Sequence, residues 1–137
     1  MASTSIGPNY VLDKTFTLAS GNTVTGYQVV QGSAAGTCQV SVTGTSPLLG
    51  VAQLDPNEGV TLSAGDVVRV RMLGISKVQS AAAVTIYTNV RPVGQGLVDD
   101  AAAGPGEYYL GQALSAATQL FDIIEVDLTN KNVRNQV

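Results

Sequence analysis

Apolar and polar residues alternate along most of this chain, and the clearest run is Asp66-Val67-Val68-Arg69-Val70-Arg71-Met72. Successive side chains of a strand point to opposite faces, so a period of two buries one face and wets the other. Runs of this kind recur about every ten residues between Gly, Pro, Asn and Ser clusters, the spacing of a small β-barrel or sandwich. Strands are predicted to begin at Thr15 and to cover 23–31, 38–42, 48–54, 67–73 and 84–91; another opens at Glu107, and the last covers 122–128. Gly50, inside the 48–54 strand, marks a bulge or a close backbone approach. Ala113-Leu114-Ser115-Ala116-Ala117-Thr118 has helix-forming composition but is too short to nucleate a helix by itself. The pattern predicts an all-β chain.

The chain also repeats itself. Leu49-Gly50-Val51-Ala52 returns as Leu110-Gly111-Gln112-Ala113, and the run from Asp66 returns as Asp122-Ile123-Ile124-Glu125-Val126-Asp127-Leu128. Val24-Thr25-Gly26-Tyr27 is echoed by Val84-Thr85-Ile86-Tyr87. The three echoes keep their order at an offset of about sixty residues, which favours an internally duplicated strand unit over chance recurrence of short Val/Thr patterns. The expected organisation is one β core domain over 15–129, with repeat halves near 22–73 and 82–128. Residues 1–14 lack periodicity and form an extended N-terminal arm, whose sizeable apolar groups are Ile6, Tyr10, Val11 and Leu12. Residues 130–137 form a short polar C-terminal tail that holds Val133 and Val137. Two fates are open to such ends: local disorder, or adding a strand to a neighbouring protein.

At 137 residues the chain fits one domain with a proper core. Only 12% of its residues are charged, whereas the surface of a small free domain carries about a quarter or more. Either part of the exterior is buried against other chains, or Thr, Ser, Asn and Gln clothe it. The net charge is −3 and the seven basic residues are scattered. Phosphate binding needs clustered Lys and Arg, so no nucleic-acid partner is expected. No apolar run approaches the roughly 20 residues of a membrane span. Met1-Ala2-Ser3-Thr4-Ser5 has neither the basic start nor the apolar core of a secretion signal. The expectation is synthesis in a cytoplasm and no membrane partner.

The inventory of reactive groups is sparse. The absence of histidine removes the commonest general base and excludes Ser-His-Asp and Cys-His arrangements. Cys38 shares a strand face with Val40 and Val42 and serves as a small apolar residue; alone it makes neither an intrachain disulfide nor a cysteine-based metal site. Ser76 and Lys77 adjoin, but neighbours on a strand point to opposite faces. Asp99-Asp100, followed by alanines, lacks the spaced oxygen ligands of a calcium loop and fits a solvated turn. Gly94-x-Gly96 lacks the third glycine of a dinucleotide fingerprint. Tyr108-Tyr109, with no Trp in the chain, makes a poor stacking platform. Arg69 and Arg71 stand where the second copy has Glu125 and Asp127. These opposite charges suit pairing of the two strands, a joint between subunits, or two separately solvated faces. No enzyme activity, cofactor or metal is predicted, and no catalytic residue is assigned.

The order of elements resembles the capsid cement, or head decoration, proteins of tailed bacteriophages. The resemblance is carried by Thr23-Val24-Thr25-Gly26-Tyr27-Gln28-Val29-Val30, Leu48-Leu49-Gly50-Val51-Ala52, Val84-Thr85 with the strand to Val90, Ala101-Ala102-Ala103-Gly104, Leu110-Gly111-Gln112-Ala113-Leu114 and the run from Asp122 to Leu128. It covers about residues 15–129 and departs from the family at Gly26-Tyr27 and Ile86-Tyr87, where the pattern usually has Gly-Asp. The resemblance implies a non-enzymatic virion protein, made in the host cytoplasm and carried on the outer surface of the expanded head. It implies a homotrimer that bridges adjacent subunits of the major capsid protein. Ile6, Tyr10, Val11, Leu12, Val133 and Val137 are then the candidate capsid contacts. A receptor- or glycan-binding module of a phage tail or fibre is the alternative, and it predicts an aromatic-lined pocket.

Overall fold

A computed structural model describes residues 10–42 and 44–134 of the chain. The first half contributes β1 (Leu12–Leu18), β2 (Thr23–Val24), β3 (Val29–Ala34), β4 (Thr37–Val40), β5 (Leu48–Ala52), β6 (Leu62–Ser63) and β7 (Val67–Leu73). A 3-10 turn, Pro56–Glu58, precedes β6; the Asp55 carboxylate accepts from the Asn57 N–H at its start and Gly59 ends it in a left-handed conformation. Strands β1, β4, β3, β5 and β7 close a barrel in that order, with β1 parallel to β4 and the other neighbours antiparallel.

The second half contributes β8 (Ile75–Gln79), β9 (Asn89–Gly94), β10 (Leu97–Asp99), β11 (Tyr108–Tyr109), β12 (Gly111–Ala113), β13 (Ile123–Asp127) and β14 (Val133–Arg134). Strands β8, β9, β10, β12 and β13 repeat β1, β3, β4, β5 and β7 pair for pair. Thr17↔Val67 returns as Gln79↔Ile123, Val30↔Gly50 as Val90↔Gly111, and Ala52↔Val70 as Ala113↔Val126. The irregularity of the first hairpin, where the register skips Ser33, recurs at Val93 of the second. The parallel closure Leu18↔Cys38 becomes the single bridge Ser80↔Val98, and the β2–β6 pairing becomes the bridge Val84↔Ala117. Strands β11 and β14 pair with each other and, among the described residues, have no counterpart in the first unit.

The duplication therefore takes in the first strand as well. That strand starts at Leu12 rather than Thr15, so Leu12, Asp13 and Lys14 lie in the barrel wall opposite Leu73, Arg71 and Val70. The continuous strand expected over 23–31 is broken: the Gln28 side-chain oxygen accepts from the Thr25 N–H at 2.8 Å, which turns the backbone between β2 and β3. Nothing helical forms over 113–118, because Ala113 ends β12 and Ala117 exchanges backbone hydrogen bonds with Val84.

Alternation explains the core. Leu18, Val24, Val30, Cys38, Ala52, Val68 and Val70 fill the first barrel. Their counterparts Val84, Val90, Val98, Ala113, Ile124 and Val126 fill the second unit, but that cluster also takes in Val29, Leu48 and Val51 of the first. Val29 and Val51 adjoin the barrel-filling Val30 and Ala52 and point outward; they are apolar because the second unit covers them. Their counterparts Asn89 and Gln112 are polar and exposed. The β9–β10 hairpin completes the joint. The Val29 N–H donates to the Gly96 carbonyl at 2.8 Å, and the Gly96 N–H donates to the Ser41 carbonyl at 2.9 Å. Gly96 has φ 71°, and a Cβ there would meet the Cβ of Gln28 at 2.7 Å, so glycine is what the joint admits.

Candidate functional site

Of the six residues expected to make contacts, four are described: Ile6 and Val137 lie outside the described residues. Tyr10, Val11 and Leu12 lead into β1 and are exposed, Tyr10 by 79%. They sit beside Leu73 and Gly74, since Leu12 pairs with Leu73 and a Cβ on Gly74 would meet the Tyr10 carbonyl and the Val11 side chain. Val133 is exposed on β14 and pairs with Tyr109. The strand is fastened by Asn132, whose side chain accepts from the Leu48 N–H at 2.7 Å and donates to the Leu48 carbonyl at 2.9 Å. Lys131 donates to the same carbonyl at 3.4 Å, and burial lowers its pKa. The tail thus begins as a strap from the second unit onto β5 of the first.

Several charged groups have local partners. Arg71 grips Asp13 through two nitrogens, at 2.9 and 3.2 Å, and this bond, aided by Arg69, holds the Asp13 carboxyl below the usual range. In the second unit Lys77 stands opposite Glu125 and lies over the ring of Tyr27. The opposite charges of β7 and β13 therefore do not pair with each other, because these strands belong to different sheets. Asp99 and Asp100 diverge: Asp99 accepts from Arg91 and the Ala101 N–H, and Asp100 from the Thr85 N–H. Ser76 is buried between Gln53 and the Lys77 carbonyl. Cys38 is buried inside the first barrel, and burial raises its pKa. Among the described residues no three His, Cys, Asp or Glu side chains are placed so that they could hold a metal ion.

A cleft of about 590 Å³ opens at the joint, walled by Asn22, Thr23, Thr25, Gln28 and Val40 of the first unit and Gln95 of the second. Among the described residues no aromatic or charged side chain lines it. Both ends of the Gln28 amide are occupied, by the Thr25 N–H and the Gln95 carbonyl. The cleft offers hydroxyls and amides but no acid–base pair.

Comparison of the two units shows what periodicity alone did not. The turn before β7 is Ser63-Ala64-Gly65-Asp66, and its counterpart before β13 is Gln119-Leu120-Phe121-Asp122. Gly65 has φ 90°, where glycine is at ease; Phe121 takes φ 68° in the same place. Leu120 and Phe121 are 50% and 56% exposed. The signal was present in the sequence, as a glycine replaced by phenylalanine just before the two aligned Asp-led runs; its weight shows only in the left-handed φ and the exposure of Phe121.

These observations define a tandem pair of five-stranded β units whose joints include the β9–β10 hairpin, the tail strap and the Gln79 N–H to Tyr27 and Tyr108 N–H to Gly44 carbonyl bonds. No protein-family model and no curated protein matches the chain. Among solved structures it is similar to the N base of the head fiber gp8.5 of bacteriophage phi29, with a TM-score of 0.64 and 15% identity, over 90% of this chain and 98% of that one. At that identity the likeness is one of fold.

Proposed function

We propose that this chain is a structural protein of a phage head: a non-enzymatic decoration subunit that sits on the outer surface of the expanded shell and bridges neighbouring major capsid subunits, as a homotrimer. The observation that carries the proposal is the likeness to the phi29 head fiber base, which runs through nearly the whole of both chains. The exposed Tyr10-Val11-Leu12 segment and the sparse charge of the chain support a protein that works by contact. A subunit that binds only the expanded shell stabilises that state by linkage. Many copies on one shell add their effects through multivalency.

The test is co-sedimentation of the purified protein with expanded heads stripped of decoration, followed by heating. Saturable binding with a raised disruption temperature is the expected result. Absence of binding to expanded heads overturns the proposal.

A further inference from the structure

The turn before β13 breaks two rules at once. A phenylalanine, one of two in the chain, is held in a left-handed backbone conformation that disfavours bulky side chains, and it is then left in water beside Leu120 and Ile123, which are exposed too. The turn is also fastened more tightly than its twin. Asp122 accepts from the Thr118 N–H at 2.8 Å, the Thr118 hydroxyl at 3.0 Å and the Gln119 N–H at 3.2 Å, whereas Asp66 accepts from the Ser63 N–H. Strain of this kind persists where surrounding bonds over-determine it, and it gathers at functional sites. The first unit carries the same turn with Ala64-Gly65 and folds, so the fold itself does not require Leu120 or Phe121.

The surroundings specify what the turn would meet. The Phe121 N–H donates to the Ser80 carbonyl, and Ser80 bridges Val98 in parallel, so β8, β10 and the start of β13 share one end of the second unit. Asp99, Asp100 and Asp122 lie at that end. The basic side chain that β9 brings there, Arg91, is already engaged by Asp99 and Glu107. The exposed apolar side chains of Leu120, Phe121 and Ile123, in an acidic setting, complement an apolar pocket with a basic rim. A second copy of this end would bring acid against acid.

We propose that the Leu120-Phe121 turn is the anchor by which the protein docks on the head, inserting into an apolar, Lys/Arg-rimmed pocket of a shell protein. This rests on the head-attachment reading above and assigns its site. The partner's basic rim contributes attraction that salt screens.

Three variants of the full chain test it by co-sedimentation with expanded heads and by thermal melting: Phe121→Gly, Leu120→Ser and, as an exposed apolar control on the first unit, Val60→Ser. Phe121→Gly is expected to melt at or above the parent temperature, because glycine suits φ 68°, while head binding weakens about tenfold or more, as for a hot-spot residue. Leu120→Ser weakens binding in the same direction, Val60→Ser binds as the parent does, and parent binding falls as salt rises. Equal binding by the parent and Phe121→Gly overturns the anchor and leaves head attachment standing. Failure of the parent to bind overturns both. A parent oligomer that dissociates on Phe121→Gly would make the occupant a second copy and likewise overturn the proposal.

Discussion

Gly50 and Gly111 show how much a single residue can carry in a repeated fold. Each stands opposite the central valine of its unit, Val30 or Val90, where the strand passes close over a neighbour. A Cβ on Gly50 would run into the Arg71 carbonyl, and one on Gly111 into the Asp127 carbonyl, the same place in the two units. The obstacle is backbone in both cases, so no side chain can swing aside. Gly50→Ala and Gly111→Ala are each expected to destabilise the chain by about 1–3 kcal/mol or more. Thermal melting checks this, at roughly 3 °C or more per kcal/mol for a domain of this size. A melting temperature unchanged by either substitution would mean that the strands can part without loss.

At the scale of elements, the short β11–β14 pair is the addition that distinguishes the second unit from the first. Besides the Tyr108 N–H to Gly44 carbonyl bond, the pair is held to the barrel by Asn132, which has φ 69° and mimics a strand partner for Leu48 by meeting both its N–H and its carbonyl. Asparagine tolerates the left-handed region, and its amide supplies donor and acceptor together. Asn132→Ala loses both bonds and leaves the buried Leu48 amide unpaired, a loss of about 1–3 kcal/mol. Urea unfolding measures the loss, and hydrogen exchange at the Leu48 amide should accelerate in the same variant. If the Leu48 amide stays protected, the strap is dispensable.

For the whole molecule, the shared core makes two units one folding entity. Val29, Leu48 and Val51 belong to the first unit in sequence and to the second in packing. Burying each contributes about 1.5–3 kcal/mol that the first unit cannot obtain alone. Amide protection at Val30 and Val90 is therefore expected to vanish at the same urea concentration, in one transition. Two separate transitions would show that the units fold independently and that the joint is weak.

Much of this was legible in the chain itself. A period of two with turn residues at regular spacing specified an all-β architecture, because burial of one strand face needs only that alternation. The echoes of Leu49-Gly50, Asp66 and Val24-Thr25 disclosed the repeat, because equivalent strands meet equivalent neighbours. Lack of histidine limited the available chemistry. Other features depended on contacts between residues far apart in sequence. That Val29 and Val51 are buried while Asn89 and Gln112 are not follows from which unit covers which face. The opposite charges of β7 and β13 do not meet: the register of the first sheet brings Asp13 to Arg71, and that of the second sets Lys77 opposite Glu125. The tail became a strap only when Leu48 lay within reach of Asn132. Local pattern determined the all-β class and how often the unit recurs; only the folded chain, by bringing distant backbone together, set where strands start and break, decided what covers what and left Leu120 and Phe121 in the open.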